Sequence, residues 1–148
     1  MKPLLWAAFF FAICTGTAMA EGTISIEDPH VRLVPPSAEN TAVFMVIHNQ
    51  GDKEVKLIKA ESTAAKTVEL HTVIDEGGMK KMRPVPGIAV KPKGETVLKA
   101  GDYHVMLIGL NYPLQEGNEV PLTLKFDDGS SQSLNVPVRK IETSMPIK

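Results

Sequence analysis

Short runs in which apolar and polar residues alternate, interrupted at close intervals by turn formers, leave this chain little choice but antiparallel β-structure. A strand sends successive side chains to opposite faces, so period-two alternation marks a strand with one face buried. Thr41 to His48 is rich in β-formers, and Tyr103 to Ile108 reads as a buried strand. Val120 to Phe126 and Gln132 to Val138 flank Asp127-Asp128-Gly129, a hairpin signal. Weaker strands are predicted at Thr23 to Glu27, Val55 to Ala60, Val68 to Thr72, Met79 to Arg83 and Thr96 to Leu98. Further turns fall at Asn49-Gln50-Gly51-Asp52, Glu76-Gly77-Gly78 and Ala100-Gly101-Asp102. The 11 Gly and 11 Pro are spread throughout, which opposes long helices, although Glu61 to Lys66 has room for a short helical turn. The pattern predicts an all-β sandwich or barrel, mainly antiparallel.

The first twenty residues stand apart. Lys2 gives a positive start, Leu4 to Ile13 is unbroken apolar sequence, and Ala18-Met19-Ala20 offers the small-x-small pattern of a cleavage site. Residues 1–20 are therefore read as a secretory signal peptide cut after Ala20. Its apolar run is too short for a stable membrane anchor. A lipidated Cys14 is the rival reading, opposed by bulky Ile13 where a small residue is expected. Residues 21–140 form one domain of a size that needs no staples, and 141–148 read as a flexible tail. The signal contains the only Trp and the only Cys, Trp6 and Cys14. The exported chain thus has no disulfide, no thiol redox chemistry and no thiolate ligand. With 16 Lys and Arg against 17 Asp and Glu and no basic stripe, nucleic acid is not an expected partner. No nucleophile–base pattern or Gly-rich phosphate loop points to an enzyme.

Four residues carry the chemistry. His104 and Met106 share a strand face, with Cα atoms about 6.6 Å apart at the usual rise. His71 and Met82 flank the Glu76-Gly77 turn symmetrically, so a hairpin centred there sets them directly opposite and on one face. Each unit presents one imidazole and one thioether. Taken singly, a Met in a strand is a gap filler and a lone His is structural; two independent same-face pairs set a ligand reading beside the structural one, and geometry alone leaves both open. Thioether is soft and neutral and suits Cu(I), whereas zinc prefers thiolate, imidazole or carboxylate. A blue-copper site needs a Cys thiolate that the exported chain lacks. His48, on the face of Val46 and Phe44, reads as structural, and Met45 as core. Met79 falls on the opposite face from Met82, and Asp127 and Asp128 as turn residues.

The spacing His71, ten residues, Met82, twenty-one residues, His104, one residue, Met106 resembles that of the periplasmic copper chaperones called PCuAC. The surroundings agree: Glu69-Leu70-His71, Lys81-Met82-Arg83-Pro84, Leu98 to Leu107, and Gly117-Asn118-Glu119-Val120-Pro121. The resemblance implies a cupredoxin-like Greek-key sandwich in the periplasm holding one Cu(I) per chain through His71, Met82, His104 and Met106. It further implies delivery to an apo cytochrome oxidase subunit, at the dinuclear copper site of subunit II, or to another copper-assembly protein. A separate thiol reductant would then be required. A copper buffer, or a metal-free interaction module, is the alternative. Three positions depart from the family pattern: Thr72 stands where Met is frequent, His30 where Trp often precedes Val-Arg, and the tail offers only Met145.

Overall fold

The alternation in Asn40–Asn49 turns Val43, Met45 and Ile47 into the core, and the strands around it arrange themselves to cover them. The computed structural model describes residues 23–141. The signal peptide read at 1–20, its Cys14, and residues 142–148 of the tail lie outside the described residues.

Ten strands run in chain order: β1 (Ile24–Arg32), β2 (Asn40–Asn49), β3 (Val55–Glu61), β4 (Ala65–Glu76), β5 (Met79–Pro84), β6 (Ile88–Val90), β7 (Gly94–Leu98), β8 (His104–Leu110), β9 (Glu119–Phe126) and β10 (Ser131–Arg139). Their hydrogen-bonded order is β5-β4-β8-β2-β1-β10-β9-β3-β6, with β7 also paired to β2. All pairings are antiparallel except that of β1 with β10. The path folds over so that the β2–β4 side meets the β9–β3–β6 side. Leu57, Ile88, Val90, Leu122, Leu124 and Phe126 pack there with Val31, Val43, Met45, Ile47 and Leu107. Each such side chain, removed from water, stabilises the fold by about 1.5–3 kcal/mol before chain entropy is set against it.

The all-β, mainly antiparallel expectation holds. Two details differ. Thr63 and Ala64 form only a turn in place of the helical turn expected over Glu61 to Lys66. β6 is a three-residue strand that the sequence pattern did not signal.

The arrangement along β2 matters most for the site. β8 pairs with Asn40–Val43 and β7 with Met45–Asn49, so the two strands follow one another along the same neighbour. Between them the chain makes a tight excursion. Asp102 N donates to Lys99 O at 3.1 Å and Lys99 N to Tyr103 O at 3.0 Å, with Gly101 at φ +82°. The left-handed turn suits glycine, which has no Cβ to clash. It returns the chain to the sheet at His104, the first residue of β8.

Candidate metal centre

The β4–β8 ladder sets His71 directly opposite His104, and Glu69 opposite Met106. Directly opposed residues share a face, so His71, His104, Met106 and Glu69 lie together. The alternate residues Leu70, Val105 and Leu107 are buried in the core, which puts this group on the outer face of the sheet. On β5, Pro84 is opposite His71 and Met82 is opposite Val73. Met82 is therefore on the same outer face, diagonal to His71. The structure brings all four predicted residues onto one face of three adjacent strands, β5-β4-β8.

The pairing of His71 with Met82 differs from expectation. The predicted hairpin centre lay between Glu76 and Gly77; the observed turn is Gly77-Gly78, with Glu76 opposite Met79. Both glycines have positive φ, +61° and +86°, as a tight two-residue hairpin turn requires at both central positions. Glu76 at that position would carry a Cβ penalty that Gly78 avoids. The change moves the partner of His71 by two residues, an even number, so Met82 keeps its face.

The rings of His71 and His104 lie 5.8 Å apart between centroids. His104 is 2 % exposed, and Phe44 of β2 approaches its other side at 6.4 Å. His104 Nδ1 is 2.9 Å from the carbonyl oxygen of Asp102, and His71 Nε2 is 2.7 Å from a carboxylate oxygen of Glu69. The remaining ring nitrogens, His71 Nδ1 and His104 Nε2, are buried without any hydrogen-bond partner. A buried polar atom without a partner costs about 1–3 kcal/mol, so two on facing rings call for an explanation. A soft cation bound between them supplies one. Among the described residues no three His, Cys, Asp or Glu side chains gather as a metal cage; the further donors that share this face are the thioethers of Met82 and Met106. Met106 is half-buried beside the rings, while Met82 is 57 % exposed at the sheet margin.

Other candidates take structural places. His48 is bracketed by Glu27 and Glu95 from the strands on either side, at 2.5 and 3.2 Å. Met45 is core at 2 % exposure. Met79, 65 % exposed, is three residues from Met82 and so on the other face of β5. Asp127 accepts a bond from Lys56 N, and Asp128 from Ser130 N, as turn residues do. His30 packs against Phe44 at 5.7 Å between ring centroids, with Nδ1 2.9 Å from Asp28 O. Sequence reasoning assigned no role to Glu69, Asp102 or Phe44. Glu69 was findable, since two residues along a strand from His71 is the same face. Asp102, two residues before His104, acts through a backbone carbonyl that side-chain patterning does not reveal, and Phe44 comes from a segment remote in sequence from both rings.

Comparisons with known proteins bear on the family and the fold. The family described as "Putative lipoprotein LpqE-like" matches residues 24–138. A relative from Leifsonia xyli subsp. xyli, "Putative lipoprotein Lxx21020", is 35 % identical over 100 residues. That match covers 67 % of this chain and only 60 % of the relative's length. The solution structure of Cu(I)-DR1885 from Deinococcus radiodurans is 32 % identical, with TM-score 0.65, covering 87 % of this chain and 85 % of that one. The copper-bound PCuAC domain from PmoF2 is 21 % identical, with TM-score 0.68, covering 81 % and 95 %, a likeness of cupredoxin-like fold. With the family match spanning nearly all of the described sandwich, this chain belongs to the LpqE-like family, that of the PCuAC domains.

Proposed function

We propose that this protein is an exported metallochaperone that carries one Cu(I) ion between His71, Met82, His104 and Met106. The observation that carries the reading is the pair of facing histidines whose two buried nitrogens have no partner. The thioethers of Met82 and Met106 on the same face supply soft, neutral donors. A relative that is 32 % identical, DR1885, has a structure with Cu(I) bound, which supports the same cargo here. No ligand is anionic, so an incoming donor can displace a thioether without separating opposite charges. Exposed Met82 is the natural point of entry and exit.

The acceptor we propose is the dinuclear copper site of a respiratory oxidase subunit II in the periplasm. After cleavage behind Ala20 the chain holds no cysteine, so it cannot itself reduce a disulfide in that acceptor. The expected result is transfer of Cu(I) to the reduced subunit II domain, and none to the oxidised domain unless a thiol reductant is added. Mixing the copper-loaded protein with each form and measuring copper after separation tests this. Loading of the oxidised form without reductant would refute the mechanism, and loading of neither form would favour a copper buffer.

The names of the family and of the Leifsonia relative favour a second reading of the leader, with Cys14 as a lipid-bearing residue. The mass of the exported protein separates the two: a chain beginning at Glu21 supports cleavage, and one beginning at an acylated Cys14 supports anchorage.

A further inference from the structure

The two histidines are held by different edges of their rings, and this sets which nitrogen each can offer. At His104, Nδ1 faces the Asp102 carbonyl oxygen at 2.9 Å. A carbonyl can only accept, so Nδ1 carries the proton and the lone pair of the neutral ring sits on Nε2. That Nε2 is one of the two buried atoms without a partner. At His71 the polarity is reversed. Its Nε2 faces the Glu69 carboxylate at 2.7 Å, so Nε2 carries the proton, and the unpartnered buried atom is Nδ1. We propose that His71 binds the ion through Nδ1 and His104 through Nε2, and that Glu69 is the positioning residue that holds His71 in this state. The inference rests on the metal reading of the site and adds the ring atoms and the residue behind them.

The register explains why Glu69 can do this. Two residues before His71 on β4, it shares the ligand face and lies opposite Met106. Its carboxylate touches the ring edge turned away from Nδ1, so it orients the ring without competing as a ligand for the same ion. A carboxylate behind a ligating imidazole fixes its tautomer and ring orientation. The two supports differ in kind. Asp102 acts through its backbone, which no side-chain substitution removes, whereas Glu69 acts through a side chain that is 42 % exposed and replaceable.

The apo protein, uniformly labelled with 15N, tests the ring assignment without metal. Long-range proton–nitrogen spectra at mildly alkaline pH distinguish a protonated ring nitrogen from a bare one. The expected pattern is bare Nδ1 with protonated Nε2 at His71, and the reverse at His104. Addition of Cu(I) should then shift the two bare nitrogens selectively. Glu69→Leu should lose the preference at His71 and weaken Cu(I) binding by about 10- to 100-fold. Glu69→Gln, whose amide oxygen still accepts from Nε2–H, should keep the ring pattern and most of the affinity. A bare Nε2 at His71 in the parent, or Glu69→Leu with unchanged spectrum and affinity, would overturn the proposal. The expected ring pattern in a protein that takes up no Cu(I) would support the ring assignment while overturning the proposed function.

Discussion

Met82 and Met106 are alike in chemistry and unlike in setting, and that difference makes them separable by substitution. Met82 is 57 % exposed, whereas Met106 is half-buried opposite Glu69 and Ala42. Leucine nearly conserves the volume of methionine and removes the sulfur. Met82→Leu should leave the melting temperature unchanged, and Met106→Leu should cost under about 1.5 kcal/mol. Both should weaken Cu(I) binding sharply in competition with a Cu(I) chelator. A variant that binds as tightly as the parent would mark its methionine as packing alone. Exposure also ranks the two towards oxidation. Mild peroxide should convert Met82 to its sulfoxide before Met106, as peptide mass mapping would follow, and Cu(I) affinity should fall with that first conversion.

Among the elements, the β4–β5 hairpin is the one whose geometry the site can least do without. Its register follows from the Gly77-Gly78 turn, and the face of Met82 follows from the register. Since side chains alternate, a shift of one residue would carry the thioether to the far side of the sheet. The paired substitution Lys81→Met with Met82→Lys makes that move without changing composition. It breaks the 2.7 Å contact of Lys81 with Glu76, an exposed ion pair whose loss costs little. The expected result is a normally folded protein with the Cu(I) affinity of Met82→Leu. Parent-like affinity would show that the hairpin is free to re-register. At the other strand, the β7–β8 excursion does the corresponding work: it brings His104 into the sheet beside Phe44 and opposite His71.

For the molecule as a whole, the ligand face lies outside the core, so folding and metal binding are linked but separable. The core of Val43, Ile47, Leu57, Leu122, Leu124 and its neighbours is complete without the ion. The apo protein should melt cooperatively, and Cu(I) at a hundred times its Kd should add about 2.7 kcal/mol of stability. Calorimetry with and without the ion checks both; an apo chain with no cooperative transition would contradict the separation. A further contact ties together the one parallel pair among the described strands. Arg139 of β10 donates to Asp28 of β1 and holds its carboxyl below the usual range. A lowered folded-state value means that the contribution is complete above the range in which the unfolded carboxyl titrates. It is lost as the pH falls through the folded value. The Asp28 side chain is 60 % exposed, so solvent screening leaves under about 1 kcal/mol. Asp28→Asn should therefore destabilise slightly at neutral pH and show a flatter loss of stability in acid.

Parity was legible in the sequence, and adjacency was not. That His104 and Met106 share a face is a local property of one extended strand, and the hairpin around Gly77 put Met82 on the face of His71 even with its centre misjudged. The main strands were readable for the same reason, because alternation is written residue by residue. β6 escaped because three residues carry too little pattern, and β1 runs on past Glu27 through an irregularity at Asp28, whose φ is +49°. That β4 lies beside β8, and so sets His71 against His104, is decided by how the whole ladder closes. The same closure brings Phe44 to the His104 ring and leaves two nitrogens buried and unpartnered, whereas the Asp102 carbonyl reaches His104 locally from two residues before it. Spacing along a chain limits which side chains can share a face, but only the pairing of strands remote in sequence determines which of them meet.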